Sequence, residues 1–221
     1  MLKSFVYVAI LVLCLCSANS AQGEFAVLQL ITNIGGGGAG HPTIGWEFAP
    51  VRPILITKLG YYDSLQNGLT NSHQLGIFEE ASHVLLTSTS IAAGIAAPLE
   101  GPTVSGGGFR YVPVTPLVLN PGMHYIIAAT PIGYIDNTAQ YQPIGNAHYL
   151  ETAPDITFIQ GRYNFFVPPG LAYPVDESPN VAFGPSFQFT VVPEPSTLTL
   201  LGIAIALVAV SRKRHLRQRS G

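Results

Sequence analysis

The densest group of oxygen-bearing side chains runs from Asp63 to His73 in the stretch DSLQNGLTNSH. Asp63, Asn67, the Leu69 carbonyl and Asn71 are hard donors of the kind calcium takes, and Gly68 permits the sharp turn such a loop requires. Two positions argue the other way. Leu65 stands at the third position of a calcium loop, and Gln74 stands where a bidentate Glu would close it. The favoured reading is a long hairpin loop in which Asp63, Asn67 and Asn71 bond to nearby backbone groups. Calcium held by Asp63, Asn67 and Asn71 is the alternative, and no other cofactor is expected.

Other chemistry-bearing patterns lead less far. Gly35 to Gly40, GGGGAG, satisfies G-x-G-x-x-G in form, but a phosphate cradle needs a helix after the glycines, and HPTIGWEF reads as loop and strand. His41, His73, His83, His124, His148 and His215 show no H-x-H or H-E-x-x-H spacing, and no G-x-S-x-G elbow is present. Glu79 and Glu80 are adjacent, so a strand would point them to opposite faces, where they solvate a turn. No enzyme is expected. Trp46, Tyr61, Tyr62, Tyr111, Tyr134, Tyr141, Tyr149, Tyr163 and Tyr173 are many aromatic faces for one core, since every buried hydroxyl needs a partner. Beside Asp, Asn and Gln they suit sugars, although ordinary sandwich packing is the commoner use, and Trp46 reads as core.

Composition explains what must position these residues. Hydrophobic residues make up 48% of the 221 and charged residues 10%, an imbalance that two terminal apolar segments account for. MLKSFVYVAILVLCLCSANSAQ has a basic start at Lys3, an apolar run from Phe5 to Leu15, and small residues at Ala18 and Ser20. It reads as a secretory signal peptide over residues 1–20, too short to span a bilayer. Cys14 and Cys16, the two cysteines, leave with it, so neither disulfides nor cysteine-bound metals are expected in the mature chain. Between the apolar ends, four basic residues (Arg52, Lys58, Arg110 and Arg162) face eleven acids from Glu24 to Glu177, a net charge of −7. That balance argues against nucleic-acid binding, which needs a basic face to displace phosphate counterions.

At the other end, Leu198 to Val210 is apolar or small except for Thr199, and Arg212, Lys213, Arg214, Arg217 and Arg219 follow. A membrane helix over 198–211 with a basic cytoplasmic tail over 212–221 places the domain outside, the topology the signal peptide also gives. Pro193 and Pro195 bracket Glu194 and hold the linker 191–197 extended. Val192, Pro193, Glu194, Pro195, Ser196 and Thr197, then Leu200, Leu201 and Gly202, then the Arg212–Arg214 cluster closely resemble the PEP-CTERM sorting signal of Gram-negative bacteria. The resemblance covers about the last thirty residues. It implies recognition of Pro193, Glu194 and Pro195 by a membrane-embedded exosortase, cleavage near them, and release or re-attachment at the cell surface, in bacteria that make extracellular polysaccharide. A permanent single-pass anchor with a proline-rich stalk is the alternative.

Residues 21–190 form the expected domain. Short apolar or alternating runs recur: FAVLQLITNI, IGWEFA, ILITKLGYYD, HQLGIF, VLLTSTSI, FRYVPV, HYIIAA, ITFIQGRYNFF and SFQFTVV. GGGGAGHP, QNG, EGPTVSGGG, NPG and PPG separate them as turn and loop signals. Runs at this spacing predict an all-β fold, an antiparallel β-sandwich of jelly-roll type. LVLNPGMHYIIAA sets Leu119, Pro121, Gly122 and Tyr125 in the order of a tyrosine corner. Thr43 to Ala129 also resembles a loosely defined family of secreted bacterial β-sandwich modules found in PEP-CTERM proteins. Asp63, Gly68, Leu69, His73, Gly76, Ile77 and Phe78 carry that likeness, which implies a fold and no assigned activity.

The expected protein is therefore exported and non-catalytic. It passes through an inner-membrane intermediate, held by its C-terminal helix, to the cell surface or an extracellular polysaccharide matrix. A carbohydrate-binding or adhesive module is the competing expectation, marked by three or more exposed aromatics around one concave face.

Overall fold

The computed structural model describes residues 23–31, 34–35, 43–104, 106–130, 138–141, 149–164, 170–179 and 181–193. The expected signal peptide (1–20), membrane helix (198–211) and basic tail (212–221) lie outside them. Among the described residues no helix is long and apolar enough to cross a membrane.

All described elements are strands, and every pairing is antiparallel. In chain order they are β1 (Glu24–Phe25), β2 (Val27–Ile31), β3 (Ile34–Gly35), β4 (Thr43–Pro50), β5 (Ile54–Asp63), β6 (His73–Glu79), β7 (Leu85–Ile91) and β8 (Leu99–Val104). There follow β9 (Gly107–Leu119), β10 (Tyr125–Ala129), β11 (Thr138–Tyr141), β12 (Tyr149–Thr152), β13 (Ile156–Asn164), β14 (Asp176–Ser178), β15 (Val181–Phe183) and β16 (Pro185–Val191). Two sheets make the sandwich, one ordered β1-β16-β5-β9-β8 and the other β14-β13-β4-β10-β6-β7. A three-stranded sheet, β15-β11-β3, and the pair β12-β2 accompany them.

The alternation of each strand decides what enters the core. In β4, Trp46 and Phe48 point inward, and Phe48 meets Phe187 of the facing sheet with ring centroids 4.6 Å apart. The Trp46 indole donates to the Pro185 carbonyl at 2.9 Å, so burial leaves no N–H unmet. Tyr62 and Tyr111 are buried as well, their hydroxyls donating to the Val104 carbonyl at 3.0 Å and to Ser186 Oγ at 3.3 Å. Burial raises the ionisation range of both phenols, which stay neutral donors.

Each of the nine apolar runs read from sequence contributes to a strand. Five short strands fall outside those runs: β11, β12, β14, β15 and β8, whose LEGPTV belongs to a Gly/Pro-rich stretch that signals a turn. β8 is an edge strand paired irregularly with β9, a position that tolerates Pro102 and Gly101. The turn after β9 behaves as the sequence predicts. Gly122 takes a positive φ of 78°, and the Asn120 N–H donates to the Tyr125 hydroxyl at 3.2 Å.

The outer face of β10 is covered too. Phe78, Ile126 and Ala128 form a second apolar cluster, and Leu171 and Tyr173 from the segment before β14 pack on it. The Leu171 N–H donates to Gln74 Oε1, the Ala172 N–H to Thr43 Oγ1, and the Tyr173 hydroxyl to the Glu80 carbonyl. This strap explains why all five residues of β10 are buried.

Candidate functional site

The strand register sorts the loops between the two ends of the sandwich. At one end β5, β10 and β13 finish and β6 and β16 begin, so Asp63, His73, Ala129, Asn164 and Pro185 lie there. Here Asp63 is buried, and its Oδ2 accepts from the Gly68 N–H at 2.8 Å and from Arg110 Nε at 2.8 Å. Gly68 adopts a positive φ of 110°, which a side chain would resist. Arg110 Nη1 reaches the Ala97 carbonyl at 2.8 Å and the Ile95 carbonyl at 3.4 Å, while Nη2 reaches the Gln66 carbonyl at 3.4 Å. Reciprocal backbone bonds between Leu69 and Gly94 complete the link between the loops.

Asn67 is exposed and Asn71 half-buried beside this arrangement. The carboxylate that would anchor a cation is already matched by a buried guanidinium, which lowers the local field a calcium ion would use. Among the described residues no group of three or more His, Cys, Asp or Glu side chains is placed to hold a metal. The side chain of Asp63 and the backbone of Gly68 do form the local backbone bond that the hairpin reading expects.

A second cluster was not visible in sequence. Glu47 stands on β4 between Trp46 and Phe48, hence on the opposite face of the sheet, and is buried. Its Oε2 accepts from Arg162 Nε at 2.8 Å, Arg162 Nη2 at 2.5 Å and Gln160 Nε2 at 3.0 Å. Its Oε1 is 2.7 Å from His124 Nδ1. Burial alone would raise the Glu47 ionisation range; the bonds from Gln160, His124 and Arg162 outweigh it and hold the carboxyl below its usual value. An ionised carboxylate only accepts, so His124 Nδ1 carries the proton and Nε2 is the remaining ring nitrogen. Arg162 also meets Glu177 at 3.0 Å and Glu80 at 3.4 Å. One guanidinium is thus shared among three carboxylates.

A histidine oriented by a buried carboxylate is two-thirds of a catalytic triad. Among the described residues no serine, threonine or cysteine side chain bonds to the His124 ring. A usable sequence clue existed: a lone charge inside a strand as apolar as IGWEFAP has to find a partner, and the domain offers only four cations. All four are committed. Arg52 forks onto Asp155 at 2.6 and 2.8 Å, and Lys58 reaches both Glu100 oxygens at 2.8 and 2.7 Å.

Aromatic faces are equally committed. Among the described residues with assigned burial none of the Trp, Tyr or Phe side chains is exposed. His73 stacks on Tyr61 with ring centroids 3.7 Å apart, and His83 on Tyr173 at 3.8 Å. Tyr134, Tyr141 and Tyr149 have no described side-chain environment.

At the opposite end of the sandwich β16 finishes. Val191 pairs with Ile54, which pairs with Leu119, and Pro193 beyond it is exposed. Glu194 and Pro195 lie outside the described residues. Residues 191–214 match the PEP-CTERM protein-sorting motif. The chain carries a PEP-CTERM sorting signal. The match begins at the last residue of the last strand, so the PEP-CTERM motif follows the fold with no intervening spacer. Such a motif implies export and membrane-associated sorting by an exosortase. No curated protein matches the chain.

Proposed function

We propose that this is an exported PEP-CTERM protein whose β-sandwich has a non-catalytic role at the cell surface or in the extracellular matrix. In this reading the chain passes through an inner-membrane intermediate held by residues 198–211. An exosortase-type enzyme then recognises Pro193, Glu194 and Pro195 and separates the domain from its basic tail. The observation that carries the proposal is the PEP-CTERM match at 191–214, placed directly after β16.

The interior of the domain supports the non-catalytic half. Its four cations are in ion pairs and its described aromatics are buried or half-buried, so these groups serve the fold first. The domain needs no cofactor in this reading, and Asp63 acts as a loop organiser.

Intact-mass measurement of the protein recovered from cells and culture medium tests the sorting step. Mature molecules ending near Pro195 support it. Mature molecules that retain Arg219 sink it and leave a permanently anchored single-pass protein.

A further inference from the structure

We propose that β7 is a self-association edge, on which two copies of this chain pair their β7 strands antiparallel about a two-fold axis through Thr89 and join two sheets into one.

The edges of the sandwich differ in how they are closed to such pairing. Its two sheets end in four edge strands, β1, β8, β14 and β7. β1 has two residues, one of them Glu24; β14 has three and carries Asp176 and Glu177; β8 carries Glu100, Gly101 and Pro102. Short length, charge and proline are what keep an exposed edge from adding strands. β7, LLTSTSI, has seven residues and none of these guards. Among the described residues no strand pairs with its outer side.

Backbone direction shows what that side offers. The Gln74 carbonyl accepts from the Thr130 N–H at 3.0 Å, so Gln74 turns its peptide groups toward β10. Alternation then turns those of Leu75 and Ile77 toward β7, where they face Thr89 and Thr87. Thr87 and Thr89 therefore bond to β6, and Ser88 and Ser90 direct N–H and C=O out of the sheet. Both serines are exposed. The register shift at Ile77/Phe78 lies outside this stretch, so residues 87–91 form a regular edge.

Symmetry and charge identify the occupant. Antiparallel pairing of a strand with its own copy is self-complementary, as a two-fold interface requires. An axis through Thr89 sets Ser88 of each copy opposite Ser90 of the other, and each such pair exchanges two backbone bonds. Thr89 then meets its own counterpart, a cross-strand threonine pair that sheets favour. Residues 81–99 contain no Asp, Glu, Lys or Arg. In a domain of net charge −7, a second copy can approach this edge without setting like charges opposite one another, whereas a charged partner finds no complement on it. So short a strand pair falls below the roughly 800 Å² per partner of a standard stable interface, which makes the contact reversible.

The test uses the full chain in detergent micelles, where sedimentation is expected to show a reversible monomer–dimer equilibrium. Ser88→Lys combined with Ser90→Lys opposes Lys to Lys across both serine pairs and should weaken the dimer by about tenfold or more. Ser88→Pro, which removes an outward N–H and no bond to β6, should weaken it likewise. At a dilution where wild type is monomeric, both variants should keep its thermal midpoint. With Cys14 and Cys16 replaced by Ser, Thr89→Cys should cross-link to itself under mild oxidation, and Leu65→Cys should not. A chain that is monomeric at every concentration overturns the proposal. So does a dimer that persists undiminished in both Ser88 variants, which would move the contact elsewhere, the apolar C-terminal segment included. In cells expressing Thr89→Cys, disulfides to other proteins in place of the self-linked dimer overturn it too, the partner then being a different chain. Should either Ser88 variant misfold, the Thr89→Cys cross-link decides alone.

Discussion

Arg110 and Arg162 are both buried and both paired with a buried carboxylate, yet their surroundings divide them. Arg110 meets one carboxylate, Asp63, and spends its remaining N–H groups on the carbonyls of Gln66, Ile95 and Ala97. Arg162 meets three carboxylates, Glu47, Glu80 and Glu177, with His124 alongside. The first charge is balanced within a closed neutral unit that ties two loops together. The second is outnumbered, so its neighbourhood stays negative and responsive to protons. Whether a buried arginine works as a clamp or as a counter-ion depends on what its spare donors find.

Removing each guanidinium tests that distinction. Arg110→Met leaves Asp63 buried and unpaired and frees three carbonyls, so unfolding free energy should drop by about 3–5 kcal/mol. Limited proteolysis should then cut between residues 64 and 72; an unchanged cleavage pattern would deny the clamp role. Arg162→Met should cost less, about 2–3 kcal/mol, because Gln160 and His124 still bond Glu47. Combining it with Glu47→Gln should recover part of that loss in urea denaturation, whereas simple additivity would mean the two do not interact.

The proton dependence should also separate them. The Glu47 carboxyl titrates below its unfolded value of about 4.3. Its contribution is therefore present above that pH and lost as pH falls through the lower folded value. Glu47→Gln should flatten the acid limb of stability against pH. A limb identical to wild type would assign the acid sensitivity elsewhere.

Smaller effects belong to the remaining groups. Arg52 is half-exposed on Asp155, so Arg52→Ala should change stability by only about 0.2–1 kcal/mol. Smallest of all is the response to calcium. With Arg110 already on Asp63, millimolar calcium should move the thermal midpoint by less than about 1 °C, and a clear rise reversed by chelator would show that a cation displaces the guanidinium.

Much of this was legible one segment at a time. ILITKLGYYD and HQLGIF became β5 and β6 almost to the residue, because alternation is a local property that a sheet face reads directly. β8 escaped because Gly101 and Pro102 signal a turn unless an edge position is known to be waiting. Trp46 was readable as core. Its neighbour Glu47 was not readable as the centre of a network, since Arg162 lies 115 positions further along the chain.

By itself the sequence determined the all-β class, the runs that become its main strands, and the PEP-CTERM motif at 191–214, since each is encoded in consecutive residues. Tertiary structure alone decided that Asp63 faces Arg110, that Glu47 faces Arg162 and His124, and that Ser88 and Ser90 lie on an edge strand. Those outcomes depend on strand order and register, which bring distant positions side by side and cannot be computed from any one segment.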